Sequence, residues 1–442
     1  MMFKQTSMSI IFAAAALILS LPTHLLAFAG GAGTPENPYQ ISTREDLEAV
    51  NNDLEAHYIM INDINLAGNT YTRAVIAPDI FTSTGYTGTP FTGTFNGNGH
   101  IIGALNITGV NQLGLFCQIG SSGKIINLGL EDISINGKEY LGGLCVTNEG
   151  TINNCYSNGV IQGVNYSLNE MLSGFGGLCG MNKGTIVDSY SSCEVSGIHS
   201  AGGLVGSNTG YISNCNATGD IVEGMVEECF PVGDPEGIEW MDCQQHGGGY
   251  IGGLCGYNTG LIYNCYAKGS VDTVGITGFW VSRSYGGLCG YNNGSIVNCY
   301  STGYVSNYYS CGLVGESSLS EDSIIEKSFW DVETSLSQTS DGGEGLTTAE
   351  MQDIFTFTDA GWDFVNETAN GVEDLWQMPA FDYPRLSWEA IAPTNSDIGM
   401  LSVNWLGGGC AAPDWCGGAD RDFDGSVTVD DLLLLADSWL YQ

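Results

Sequence analysis

The sequence predicts an all-β protein, a parallel β-solenoid that carries a small helical module at its C-terminus. A Gly-Gly-Leu phrase recurs along the chain, and β-branched residues follow it at constant spacing. The chain also has 64 glycines in 442 residues, without the strict three-residue period of collagen. One short unit cannot bury its apolar face alone. Successive units must therefore stack, and each repeated position becomes a column along the molecule.

The repeat is defined by spacing inside each unit. Counting from the Leu of the phrase, an Asn lies at +4, a Gly at +6, an Ile at +8 and Ile or Val at +17. Five central units keep this spacing; they begin at Leu144, Leu178, Leu204, Leu254 and Leu288. Looser copies at either end are typical of terminal repeats. An array of separate small domains is the alternative, and such short units disfavour it.

Each column has a predicted role. The Leu, +8 and +17 columns should form the core, because β-branched and aliphatic residues suit stacked strands. The Asn side chains at +4 should bond one another's amides from coil to coil. The Gly at +6 should adopt positive φ in a tight turn.

Residues 253–269 read GLCGYNTGLIYNCYAKG, which resembles the GLUG motif. This resemblance implies a bacterial secreted or surface protein. Some proteins with such repeats also carry an immunoglobulin-A-cleaving metallopeptidase, which needs two histidines in a His-Glu-x-x-His helix. No His in this chain is followed by Glu, so the resemblance does not bring that activity.

The chain divides into five predicted segments. Lys4, an apolar run and the Ala27-Phe28-Ala29 site indicate a secretory signal peptide, with a retained N-terminal anchor as the alternative. A capping box at 42–45 predicts a short helix over the first coil, and Thr347 begins a second one. The segments are 1–29, the signal peptide; 30–110, the capping helix and first coils; 111–320, the repeat solenoid; 321–389, a closing segment; and 390–442, a calcium-loop module.

Charge restricts the partners. The chain has 49 acidic residues against 11 Lys and Arg, a formal net charge of −38. Nucleic acid is excluded because no basic footprint exists to displace counterions, and anionic membranes are disfavoured. No apolar stretch is long enough to span a bilayer. We therefore predict a secreted protein, extracellular or on the cell surface of a bacterium, whose partner is an extracellular glycan or a surface protein.

Fifteen cysteines in an exported protein suggest disulfides, but most of them lie in the +1 and +11 columns. The two columns do not gain and lose Cys together, since Val205 and Ser189 replace it in different coils. Stacked buried thiols are therefore predicted, with bridges within or between coils as the alternative. The disulfide candidates are Cys229 with Cys243, and Cys410 with Cys416.

Residues 420–431, DRDFDGSVTVDD, match a twelve-residue calcium loop. Carboxylates at loop positions 1, 3 and 5, a Gly at 6 and a closing Asp suit a hard cation. The predicted calcium ligands are Asp420, Asp422, Asp424, Ser426, Thr428 and Asp431. The loop and its helix resemble one half of a type I dockerin, which implies a cohesin-like partner. Residues 397–406 align with the helix, but the loop before them lacks the carboxylates, so one calcium is predicted.

Three insertions all fall between +17 and the next Gly-Gly-Leu, so they should leave the solenoid at one corner. Aromatic residues on loops held by a rigid scaffold are suited to recognition, and sugars stack on such rings. The alternative is that the rings fold back to cover the corner. The predicted ligand-binding residues are Trp240, Trp280, Phe279, Tyr250 and Tyr285. A further Tyr column at +12 is predicted to be a packed ladder.

Two classes of function are consistent with these sequence features. The favoured one is a non-catalytic surface, adhesion or scaffold protein that attaches through a calcium-dependent tail. The alternative is a polysaccharide-degrading hydrolase or lyase on a β-helix. The basic residues of the central coils, Lys183, Lys268 and Arg283, fall on different columns. The acids Asp188, Glu194 and Asp220 are near in register and suit a hydrolase pair or, more simply, a solvated strand face. No catalytic residue is assigned.

Overall fold

The chain folds as a parallel β-solenoid, which confirms the predicted fold class. The structure is a computed structural model; the ranges that it describes are 28–79, 86–163, 174–224, 226–233, 239–246, 249–272, 283–306, 310–320, 323–379, 381–389, 405–410, 416, 426–429 and 431–432. Of these, 226–233, 239–246 and Arg283 are described by their backbone alone. Each full coil contributes strands to four sheets in a fixed order, which we name sheets I to IV.

Sheets I and II hold the strands before and after the Gly-Gly-Leu corner. The strands of sheet I are Asn111–Leu113, Glu139–Gly142, Gly174–Gly176, His199–Gly202, Gly249–Gly252, Arg283–Gly286 and Ser310–Cys311. The strands of sheet II are Phe116–Ile119, Cys145–Asn148, Cys179–Asn182, Val205–Asn208, Cys255–Asn258, Cys289–Asn292 and Val314–Ser317.

Sheets III and IV complete each coil, and both extend into the first coils. The strands of sheet III are Tyr39–Ile41, His57–Met60, Thr94–Asn96, Lys124–Ile126, Thr151–Asn153, Thr185–Val187, Tyr211–Ser213, Leu261–Tyr263, Ser295–Val297 and Ile324–Glu326. The strands of sheet IV are Ile64–Asn65, Ile101–Gly103, Asn106–Thr108, Gly129–Gly137, Tyr156–Gly163, Tyr190–Ser191, Glu194–Gly197, Asn216–Ala217, Ile221–Glu223, Tyr266–Ala267, Val271–Asp272, Tyr300–Ser301, Val305–Ser306, Phe329–Asp331 and Glu344–Leu346.

The predicted core columns are confirmed. The Leu and +8 side chains of the five central coils are completely buried, and the +17 side chains are buried with them. In-register pairing sets identical residues above one another, as with Ile152, Ile186 and Ile212 in sheet III. Each coil thus buries its apolar side chains against the same columns in the next coil, and the stack forms one continuous core.

The Gly at +6 does not adopt the positive φ that we predicted. Positive φ belongs instead to the residue at +10: Asn154, Asp188, Asn214, Asn264 and Asn298 have φ between 48 and 53°. The +6 Gly is needed for close approach. A Cβ at Gly184 would lie 2.2 Å from the carbonyl oxygen of Gly150 in the preceding coil. The short polar side chains of Asn and Asp tolerate the left-handed backbone at +10. The absence of a Cβ at +6 lets the backbones of neighbouring coils contact each other.

A helix at Arg44–Ala49, followed by a 3-10 turn at Val50–Asn52, precedes the first full coils. Its capping box joins Thr43 to Asp46, one residue later than the Ser42–Glu45 pair that we predicted. The shift places Leu47 and Val50 in the core and lets the Asp46 carboxylate also accept the Ser42 amide.

The closing segment covers sheet IV near its C-terminal end. It contains helices Thr348–Met351 and Ile354–Asp359 and an antiparallel pair, Trp376–Gln377 with Arg385–Leu386. The Thr347 cap with Glu350 forms as predicted. The apolar cluster of this segment packs directly on two tyrosines of the solenoid, Tyr266 and Tyr300. Within the described residues, helices are too short or too polar to cross a lipid bilayer.

Candidate ligand site at the insertion corner

The three insertions leave the solenoid at the same place, between sheet IV and sheet I. Strands of sheet IV end at Gly163, Glu223 and Asp272, and sheet I resumes at Gly174, Gly249 and Arg283. The coil without an insertion passes from Gly197 to His199 directly. The predicted common corner is therefore observed in the described backbone.

The longest insertion contains an antiparallel hairpin, Val226–Gly233 with Glu239–His246. Its register sets Cys229 directly opposite Cys243 and Val232 opposite Trp240. The predicted Cys229–Cys243 disulfide thus has the required backbone pairing and stays a prediction, because these side chains lie outside the described part. Phe279, Trp280 and the side chain of Trp240 also lie outside it.

Tyr285 is not a surface residue, which corrects its assignment to the ligand-binding set. Its side chain is 0% exposed, and its hydroxyl lies 2.8 Å from the Oε1 of the buried Glu223. Tyr285 falls in the inward column of sheet I, between Ile251 and Ser310. Because strand side chains alternate between faces, its neighbour Ser284 shares the column of Tyr250.

Tyr250 instead belongs to an aromatic cluster on the outside of the corner. Its ring centroid lies 5.4 Å from that of Tyr257 and 4.9 Å from that of Tyr291. Tyr257 and Tyr291 occupy the +3 position of neighbouring coils, and their rings stack at 5.3 Å with an interplanar angle of 6°. All three side chains are half-buried. We name these three residues the tyrosine cluster.

The tight corner between sheets I and II brings the cluster together. A Cβ at Gly256 would lie 2.7 Å from the carbonyl oxygen of Tyr250, so only glycine permits the two strands to meet. Tyr257 and Tyr291 are absent from the predicted ligand-binding set because they lie on sheet II and not in an insertion. The signal was present in the +3 column, which reads Thr147, Met181, Ser207, Tyr257, Tyr291 and Glu316 along the stack.

A carboxylate lies at the end of the cluster. Glu316 follows Tyr291 in the +3 column, and its Oε2 accepts a 3.4 Å hydrogen bond from Ser284 Oγ. Burial raises the pKa of Tyr250 above its ordinary value, and the nearby negative charge of Glu316 adds to this rise. The corner therefore combines aromatic surface, phenolic hydroxyls and an acceptor carboxylate.

The other tyrosine column, at +12, is a packed ladder as predicted. Tyr156 stacks on Tyr190 with centroids 4.9 Å apart, and Tyr266 stacks on Tyr300 at 5.0 Å. The closing segment covers its later members: the hydroxyl of Tyr266 donates to Glu389 and that of Tyr300 to the carbonyl of Pro384. This column is therefore an internal contact surface of the fold.

Two of the three acids that suit a hydrolase pair, Asp188 and Asp220, take part in coil-to-coil hydrogen bonds. Asp188 accepts from the amides of Asn153 and Asn214, and Asp220 accepts from Ser270. Lys268 lies beside Asp382 of the closing segment, with 3.8 Å between Nζ and Oδ1. Each of these contacts holds neighbouring parts of the fold together.

The column cysteines are buried free thiols. Cys145 pairs in register with Cys179, and Cys255 with Cys289, without a disulfide in either pair. Burial raises the pKa of the Cys155 thiol to about 12 and that of Cys193 to about 11.

In the tail, Cys410 and Cys416 are joined by a disulfide with an S–S distance of 1.97 Å.

Three of the six predicted calcium ligands, Ser426, Thr428 and Asp431, lie in the described part of the tail. Asp431 is 0% exposed, and its Oδ2 accepts the backbone amide of Thr428 at 2.6 Å. Val427 exchanges backbone hydrogen bonds with the 406–407 segment. Among the described residues there is no group of three or more metal-ligating side chains, and Asp420, Asp422 and Asp424 lie outside them.

Comparisons with known proteins identify the repeats. The GLUG motif matches residues 197–222 and 247–272. The chain is 34% identical over 146 residues to Halomucin of Haloquadratum walsbyi, covering 32% of this chain and 2% of Halomucin. It is 38% identical over 136 residues to a Gly-rich membrane protein of Evansella cellulosilytica, covering 29% of this chain and 15% of that protein.

Among solved structures, an IgA1 Protease aligns over 82% of this chain and 26% of its own, with a TM-score of 0.46 and 17% identity. The chain thus spans only a small part of the length of each of these proteins. The two segments that match the GLUG motif lie in the solenoid, in the coils that begin at Leu204 and Leu254.

Proposed function

We propose that this protein is a secreted, non-catalytic surface module that binds an extracellular glycan or surface protein at the insertion corner. The observation that carries the proposal is the half-buried tyrosine cluster beside two insertions on a rigid stack of coils. Rigid scaffolds that present aromatic rings from loops and corners are typical recognition surfaces. The similarity to Halomucin and to a membrane protein supports a place outside the cell or at its surface.

Trp240 and Trp280, which lie in the second and third insertions of the sequence, belong to this proposed site. A glycan array with the mature protein, run beside a reducing-sugar release assay, tests the function directly. We expect binding without release of reducing ends. Replacing both tryptophans by Ala should weaken binding at least tenfold, since the lost rings carry most of the contact area, and the melting temperature should stay within about 2 °C.

The matched control is Phe355→Ala, which removes an aromatic ring that is 49% exposed and lies on the closing segment. This variant should bind as the unaltered protein does. Release of reducing ends from any polysaccharide would replace the proposal by the enzyme alternative. A double variant that binds normally would remove the tryptophans from the site.

We further propose that the tail binds one calcium ion and attaches the module to a partner, as a dockerin-like half would to a cohesin-like domain. Asp420, Asp422, Asp424, Ser426, Thr428 and Asp431 would hold the ion, and the buried carboxylate of Asp431 supports the assignment. The exposed Val429 within the loop and Leu432 just after it offer an apolar contact for the partner.

Isothermal calorimetry on the whole protein tests the calcium proposal. One site should be measured, and Asp424→Ala should abolish it because position 5 of the loop loses its carboxylate. Glu36→Ala, which removes an exposed acid near the other end of the chain, should leave the site intact. Two sites, or none, would contradict the assignment.

A further inference from the structure

The +3 column of sheet II changes character along the solenoid. The coils that begin at Leu144 and Leu204 carry Thr147 and Ser207 there, whereas the two later coils carry Tyr257 and Tyr291. Strand side chains at this position point out of the stack, because the neighbouring +4 Asn points in and is completely buried. The two tyrosines therefore lie on the outer face, at the coils that follow the insertions ending near Tyr250 and Arg283.

Within the described residues, the tyrosine cluster belongs to neither of the two apolar core clusters. In the later coils, by contrast, the stacked Tyr266 and Tyr300 lie under the closing segment and join its apolar cluster. Tyr250, Tyr257 and Tyr291 contact one another, and all three side chains stay partly exposed to solvent.

The polar rim of the cluster has a defined geometry. Glu316 is the next residue of the same column, and Ser284 fixes one of its carboxylate oxygens. A carboxylate with a free oxygen accepts two vicinal hydroxyls, and a tyrosine ring packs against the C–H face of a sugar. The net charge of −38 repels uronates and phosphates and leaves neutral sugars as the favoured class.

We propose that Tyr250, Tyr257, Tyr291 and Glu316 form a binding site for a neutral polysaccharide, with pyranose rings packed on the tyrosines and their hydroxyls held by Glu316. This inference rests on the proposed function and names its ligand class and its residues on the solenoid itself. The rings of Tyr257 and Tyr291 stack on each other along the axis with centroids 5.3 Å apart, so the bound chain contacts their outward edges and the tilted ring of Tyr250.

The test measures the affinity of the whole protein for neutral hexasaccharides of glucose, xylose and mannose, and for oligogalacturonate as the charged comparison. At least one neutral ligand should bind, and oligogalacturonate should bind at least tenfold more weakly. Tyr257→Ala with Tyr291→Ala should lower the affinity for the neutral ligand at least tenfold. Glu316→Gln should lower it about threefold to tenfold. Tyr304→Ala, at an exposed tyrosine on another face, should leave it unchanged.

Phe replacements at 257 and 291 separate ring packing from hydroxyl bonding, and they should retain most of the affinity. If the double Ala variant unfolds, the Phe variants and Glu316→Gln still test the site. In that case, normal affinity of the Glu316→Gln variant overturns the proposed site. Binding of a protein or a charged glycan alone leaves the proposed function in place and overturns this inference. Binding of a neutral glycan that none of these variants weakens also leaves the proposed function in place and overturns this inference.

Discussion

The Asn at +4 shows how a single residue type can hold a stack of coils together. Asn148, Asn182, Asn208 and Asn258 each donate an amide hydrogen bond of 2.8 Å or less to the Asn of the next coil. Each amide also bonds nearby backbone groups, as Asn208 does with Gly210. A fully satisfied buried row is cooperative, whereas one missing member leaves polar groups without partners in the interior.

Asn208→Ala tests this row at its centre. The substitution leaves the Nδ2 of Asn182 and the Oδ1 of Asn258 short of a partner, so the free energy of unfolding should fall by about 2–4 kcal/mol. Urea unfolding followed by circular dichroism measures the change. Asn158→Ala, at an exposed Asn of the strand in sheet IV, should cost less than about 0.5 kcal/mol. Equal losses in both variants would show that the amide row has no special role.

At the scale of single elements, the closing segment is held to the solenoid by an aromatic residue that fits a gap in the +12 ladder. In register, the ladder reads Tyr156, Tyr190, Asn216, Tyr266 and Tyr300. Trp388 stacks on Tyr190 at 6.0 Å and donates its indole N–H to the carbonyl of Asn214 at 3.2 Å. The coil without a tyrosine therefore receives the ring of the returning chain.

Two substitutions test this arrangement. Trp388→Ala should speed hydrogen exchange of residues 381–389 and lower stability by about 1–2 kcal/mol, since the ring is 37% exposed and its burial is only partial. Asn216→Tyr should displace Trp388 by restoring the ladder, and exchange in the same segment should rise. Unchanged exchange in both variants would show that the segment is anchored by its other contacts, such as Tyr266 with Glu389.

At the scale of the whole molecule, the buried thiols should make stability depend on alkaline pH. Burial raises the pKa of Cys117 to about 12, alongside the raised values of Cys155 and Cys193. In the unfolded chain a thiol titrates near pH 8.5. Above that pH the unfolded state loses protons that the folded state keeps, so stability is full below about pH 8 and falls as pH rises toward the folded values.

Urea midpoints at pH 7, 8, 9 and 10 under reducing conditions should therefore decrease steadily above pH 8.5. In this pH range each buried thiol lowers the free energy of unfolding by about 1.4 kcal/mol per pH unit. Cys155→Ser and Cys145→Val, which copy Ser189 and Val205 in the same columns, should make the decrease shallower without disrupting the stack. A midpoint that stays constant to pH 10 would mean that these cysteines do not titrate as free thiols.

The repeated spacing in the sequence is sufficient to predict the stack and its columns. Constant internal spacing predicted the parallel stack, the buried Leu, +8 and +17 columns, the Asn row and the shared exit of the insertions, because every position in a solenoid meets its own counterpart in the next coil. The packed Tyr ladder followed from the same rule. The buried thiols followed as well, since the replacement of Cys by Val or Ser in single coils argues against obligatory bridges.

Contacts between different columns could not be predicted from the repeat and are seen in the folded molecule. Sheets I and II meet at a glycine-lined corner, which brings Tyr250 onto Tyr257 and Tyr291 and turns Tyr285 inward. The +6 glycines serve close backbone contact, and the left-handed residues lie at +10. Trp388 reaches Tyr190 across a long separation in sequence. Linear spacing sets which residues stack, but the angles between sheets and the path of the returning chain set which columns touch.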